Sequence, residues 1–220
     1  MRIVPGSKKF LQDDPHEAAH GSVGVVHDSR MFVGTDQAGG NRKAKAERSG
    51  TGDRANRLSE AVRRRPRLGP DAQAYHLESQ ITAEAKGKDG KSGVWRAFFA
   101  SASRRAVKPY VWSGIDAADA PSRGISPGSE DTYNPSNSTT QVFDIAFLKI
   151  DSDKALEVAQ KHGGDKITEK SPDTPILYVL DWSRASNELI WHVIYGSSFD
   201  QAKLRVAVNA SKGDFIRVEK

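Results

Sequence analysis

His16, Glu17 and His20 stand at the spacing HExxH, inside the stretch HEAAHGSVGVVH. On a helix, histidines at i and i+4 share one face and can hold a zinc ion. The glutamate between them then polarises the zinc-bound water, which is the chemistry of a peptidase. The extended form of the motif needs a glycine three residues after the second histidine and a further ligand three beyond that. Here Gly24 comes four after His20 and His27 comes seven after it, so the register is off by one. Gly21 and Gly24 would stop a helix almost at once, and Pro5 and Pro15 crowd the short lead-in to His16. Zinc ligands of this kind need a rigid helix held by further contacts. The motif is therefore expected to be a chance match in a solvated tail. A zinc metalloprotease acting through His16, Glu17 and His20 stands third among three functional readings.

The wider composition narrows the chemistry further. The chain has 220 residues, room for one or two domains, and no cysteine. Disulfides, Cys-ligated metals and thiol nucleophiles are thereby excluded. No segment approaches the roughly 18 consecutive apolar residues of a membrane span. The opening MRIVPGSKKFLQDDP has no apolar core, so no signal peptide is expected. The net charge of +5 is local in origin: residues 41–68 hold ten Lys or Arg against three acidic residues, which leaves the remainder near neutral. That segment could bind nucleic acid or another anionic surface by neutralising phosphates, and this is the second functional reading. No aromatic is interleaved with Arg63, Arg64, Arg65 and Arg67, as a single-strand binder would need, so nucleic acid is not the expected partner.

Only Phe10 and Phe32 precede Tyr75, whereas all four tryptophans and all five tyrosines lie from Tyr75 onward. A segment so poor in large apolar residues cannot offset the entropy of ordering, so residues 1–52 are expected to be a disordered tail. From Asp53 the pattern changes. Asp53 can cap a short helix with Ala55, Leu58 and Val62 on one face and Pro66 at its end. AYHLESQITAEAK alternates as a half-buried strand, with Tyr75, Leu77, Ser79 and Ile81 on one face. KDGK supplies Asp-Gly hairpin chemistry, VWRAFFAS returns as a second strand, and AVKPYVW, interrupted by Pro109, reads as a third at an edge. Residues 114–140 are a Gly/Pro/Ser-rich linker. FDIAFLKI then reads as a buried strand. SDKALEVAQKHGG reads as a helix capped by Asp151 or Ser152, with Ala155, Val158 and Ala159 as its apolar stripe and Gly163 as its stop. TPILYVLDW, ELIWHVIYG and KLRVAVNA follow as strands, and DFIRV extends the last one after the Lys212-Gly213 turn.

Residues 53–113 and 141–220 thus repeat one plan of helix, strand, turn and two further strands. VWRAFF lies against IWHVIY, and the spacing from Leu58 to Trp95 (37 positions) nearly equals that from Leu156 to Trp191 (35). The run SDKALEVAQKHGG, TPILYVLDW, WHVIYG and LRVAVNASKGDFI resembles the PepSY domain, a small bacterial extracytoplasmic module. Trp191 and Val193 match its W-x-V, and Val206, Val208, Ala210 and Gly213 match its final V-x-V-D-A-x-T-G. Asn209 and Lys212 replace the usual Asp and Thr. The resemblance implies an α+β fold of two PepSY-like units, each a short helix packed on a three- to four-stranded antiparallel sheet and preceded by the tail. It also implies a non-enzymatic protein of the cell envelope that binds a protein or peptide and regulates proteases. No cofactor is expected.

At single positions, Trp95 and Trp191 are expected to fill the core from mid-strand, with an aromatic binding face as the alternative. His192 is expected to be partly buried and neutral, on the face of Ile190 and Ile194. Arg96 holds the equivalent place in the first repeat. Trp95, Arg96, Trp191 and His192 are the candidate partner-binding residues.

Overall fold

The computed structural model describes residues 68–137 and 140–219, which fall in one compact unit of the chain. The expected tail, the helix from Asp53 and the basic segment up to Arg67 lie outside the described residues.

Period-two alternation builds a single antiparallel sheet of nine strands. These are β1 (Gln73–Gln80), β2 (Val94–Ser101), β3 (Ala106–Ser113), β4 (Gly124–Pro127) and β5 (Asp131–Thr132), then β6 (Ile176–Ser183), β7 (Glu188–Tyr195), β8 (Leu204–Asn209) and β9 (Phe215–Glu219). The spatial order is β4-β3-β2-β1-β6-β7-β8-β9, with β5 also pairing β3. Two four-stranded meanders therefore meet through their first strands, where Leu77 pairs with Leu180 antiparallel. With its helices, this is an α+β fold.

One face of the sheet carries the core. Trp95, Ala97, Phe99, Leu77, Tyr178, Leu180, Trp191, Val193, Tyr195, Val206 and Val208 form one apolar cluster with Ala155, Leu156 and Ala159 of α1 (Ser152–Ala159). Asp151 caps α1, accepting from the Ser152 amide at 2.7 Å. The Ser152 hydroxyl then ties the helix start to the first meander by donating to the Gly90 carbonyl at 2.7 Å. Gly90 holds a positive φ of 75° and lies against the Asp153 backbone, where a side chain would clash.

Several elements differ from expectation, each for a local reason. FDIAFLKI is not a strand: Phe143 makes one bridge to Ala74, and Ile145–Phe147 form a 3-10 turn that Asp144 caps through the Ala146 amide at 2.9 Å. The chain must turn there to bring the Ile150 carbonyl over Trp191. DFIRV does not extend β8. The turn at Gly213 (φ 82°) folds it back as β9, and Asn209 fixes that turn by accepting from the amides of Ser211 and Lys212. Gly163 (φ 110°) breaks the helical path as expected, but a second helix, α2 (Asp165–Lys170), follows directly after the kink. The bulge at Tyr75 moves it off the face of Leu77 to lie beside Phe98, ring centroids 5.8 Å apart. Pro109 is not at an edge, because β4 and β5 pair with β3 on either side of it. Both of these short strands fall within residues 114–140.

Candidate functional site

Alternation sends every second side chain of the sheet away from α1, onto a face that no helix covers among the described residues. The register lines up Arg96 of β2, Glu78 of β1, Val179 of β6, His192 of β7, Ala207 of β8 and Arg217 of β9 across that face. With strands about 4.8 Å apart, Arg96 and His192 stand about 14 Å from each other in one row. Two charge clusters result.

The first belongs to the first meander. Glu78 faces Arg96, with 3.7 Å between Oε1 and Nη1, and His76, with 3.4 Å between Oε2 and Nε2. The Arg96 guanidinium lies 4.6 Å from the Phe98 ring centre, and the His76 ring meets the same phenyl edge-on at 5.4 Å. Arg96 and Glu78 are 41% and 31% exposed, so the ion pair is wet and soft.

The second cluster is tighter. His192 Nδ1 is 2.8 Å from Glu219 Oε2 and Nε2 is 3.3 Å from Asp181 Oδ1. Arg217 pairs with the other Glu219 oxygen at 2.8 Å. The intervening β8 residue is Ala207, small enough for β7 and β9 side chains to meet above it. Burial works against charge on His192, but hydrogen bonds to Asp181 and Glu219 outweigh it and push its pKa up to about 9. Burial, the largest single influence, raises Glu219, but the hydrogen bonds and positive charges of His192 and Arg217 together outweigh it and leave the carboxyl below its ordinary value. His192 is therefore an imidazolium near neutral pH, not the neutral ring expected, because both ring nitrogens face carboxylates.

The two tryptophans point the other way. Trp191 is 1% exposed and its Nε1 donates to the Ile150 carbonyl at 3.1 Å. Trp95 is 8% exposed, and its Nε1 has no hydrogen-bond partner among the described residues. They lean over β1 and β6 to meet edge-on, ring centroids 6.2 Å apart, where Ser79 leaves room. Of the four candidate partner-binding residues, the fold thus brings Arg96 and His192 to the open face and packs Trp95 and Trp191 in the core.

Two shallow clefts flank the sheet. One of about 480 Å³ lies between residues 83–93 and Trp112–Ile115; another of about 520 Å³ is lined by Ser171–Pro175, Gly196 and Lys203. Among the described residues no group of three or more His, Cys, Asp or Glu is arranged to hold a metal ion. His16, Glu17 and His20 lie outside those residues. No described helix is long and apolar enough to cross a membrane.

Sequence reasoning missed Glu78, Asp181, Arg217 and Glu219. The first two were legible as polar positions of alternating strands, but their partners sit on other strands. Arg217 and Glu219 needed β9 to be seen as a returning strand, and the Lys212-Gly213 turn was the signal for it. The chain matches no family model, no curated protein and no solved structure.

Proposed function

We propose that this chain is a non-enzymatic protein- or peptide-binding module of the bacterial cell envelope, built from two PepSY-like units and acting on proteases. The observation that carries the reading is the accessible part of the sheet face turned away from α1, where the Arg96–Glu78 pair and the partly exposed Phe98 and Val179 lie, while Ile190, Ile194 and Ala207 farther along it are buried. Two meanders joined through their first strands are what duplication of a helix-plus-sheet unit would give, which supports the repeat. The resemblance of residues 141–220 supports the binding role.

The test is direct. The purified protein is titrated into a secreted zinc endopeptidase and a secreted serine endopeptidase, and binding and residual proteolysis are both measured. Saturable binding to one of them is expected, weakened about tenfold, or ~1.4 kcal/mol, by Arg96→Glu. Turnover of a small substrate by the protein itself, or binding untouched by reversal of Arg96, would contradict the reading.

A further inference from the structure

We infer that the protein takes an extended segment of its partner as an additional strand along β9, with apolar side chains of that segment alternating with acidic ones. This rests on the protein-binding reading and names the mode and chemistry of the segment bound.

The two ends of the sheet differ in a way that bears on strand addition. An exposed edge offers unpaired N–H and C=O groups to any incoming strand, and proteins blunt such edges with short strands, proline and charge. At one end β4 is four residues long and closes on Pro127, and β5 is two residues long. That end is blunted. At the other end β9 presents Phe-Ile-Arg-Val-Glu, without proline or glycine, and among the described residues it pairs only with β8. It is the better template, and extended peptides dock on such edges through main-chain hydrogen bonds, with side-chain contacts giving selectivity.

The side chains on either side of that edge define what fits. Toward the helices, Phe215 and Val218 are 37% and 46% exposed, although Val208 and Val206, their partners on β8, are fully buried. The apolar layer of the core thus runs out to the edge and stops uncovered. His162 from the kink before α2 stacks flat on Phe215 at 3.7 Å, extending this apolar wall beyond the strand. An added strand would lay its own apolar side chains against these rings and methyls. Toward the other face the edge carries Arg217, 51% exposed, which pairs with Glu219, a carboxylate it shares with the imidazolium of His192. Arg205 lies in the same patch, its guanidinium over the Phe199 ring at 4.0 Å. Three cations, Arg205, Arg217 and His192, therefore face two carboxylates, Asp181 and Glu219. A carboxylate on the incoming strand would meet Arg217 and balance the patch. Alternate apolar and acidic residues satisfy both sides of one strand, because successive side chains point to opposite faces.

The probe is the acetylated, amidated peptide Val-Glu-Val-Glu-Val, carrying a fluorophore for anisotropy and used unlabelled for chemical-shift mapping on the 15N-labelled protein. Its partner is the same peptide N-methylated at alternate amides, which removes main-chain donors but keeps the side chains. Saturable binding is expected, with shifts confined to β9, β8 and the kink at His162. Methylation, Val218→Lys and Arg217→Glu should each weaken it about tenfold, with the thermal midpoint of Val218→Lys unchanged. Equal binding of the methylated peptide, or no binding of either peptide, would overturn strand addition. Shifts at Arg96 and Glu78 instead of β9 would also overturn it, while leaving the protein-binding reading intact; that reading fails separately, in the protease titration. A concentration-dependent dimer abolished by Val218→Lys would make a second copy the occupant and overturn the peptide assignment.

Discussion

The two meanders share a strand order and spend their equivalent positions differently. In the second, β6 and β7 supply nine of the twelve largest fully buried side chains among the described residues, seven of them in the cluster under α1 and two, Ile190 and Ile194, on the face of His192. In the first, every residue of β3 except Ser113 is only half-buried. The contrast is sharpest at the matched pairs. Trp191 hands its N–H to Ile150, whereas Trp95 buries its own without a partner among the described residues. His192 is clamped between two carboxylates, whereas Arg96 touches one across 3.7 Å. Similar strands, VWRAFF and IWHVIY, thus become anchors in one half and looser contacts in the other. The difference lies in what neighbouring segments bring to them, and apolar content alone does not set it.

Truncating the tryptophans should expose that difference most strongly. Trp191→Ala is expected to cost about 3–5 kcal/mol, as large core aromatics do. Trp95→Ala should cost about 1 kcal/mol less, because no hydrogen bond is lost with it. Urea denaturation of the two variants gives both numbers, and equal losses would erase the asymmetry.

The charge clusters should separate next. The folded-state pKa of His192, about 9, lies above its ordinary value of 6.5, so its stabilisation is complete below pH 6.5 and disappears as pH rises through 9. Stability should therefore fall across that window by about 1–3 kcal/mol. His192→Gln should flatten the slope. Arg96→Ala, which removes no group titrating there, should leave its shape alone.

Smaller effects follow from single polar atoms. Trp191→Phe strands the Ile150 carbonyl and should cost about 1–2 kcal/mol, while Trp95→Phe removes an unpaired buried N–H and should come out near neutral. Denaturation midpoints in the reverse order would show that the Trp95 indole has a partner in solution. Smallest of all, Arg205→Ala should cost about 0.5 kcal/mol, the worth of its stacking on Phe199 at a half-exposed site.

Much of this architecture was legible in the sequence wherever the information was local. Period-two alternation marks β1 and β8, apolar runs mark β2, β6 and β7, and Asp151 announces α1 through its side chain. Information carried by distant partners was not legible. Ile145–Phe147 reads as strand by composition and turns because Asp144 caps it and Trp191 needs the Ile150 carbonyl. The Tyr75 bulge leaves no mark in a window of alternating residues. The charge of His192 is set by Glu219 across β8, so sequence distance hides it. At the candidate site the face of Arg96 and His192 followed from alternation, and their partners did not.

The account rests on the two meanders being one cooperative sheet joined at β1 and β6. Native-state hydrogen exchange tests this where they meet, on the amides of Leu77 and Glu78 against those of Val179 and Leu180, which pair across the joint. If the joint is cooperative, all four should open with one free energy, equal to that of global unfolding. Opening of the β1–β3 amides about 2 kcal/mol or more below those of β6–β8, with the second meander still protected, would mean two independent units and would contradict the account.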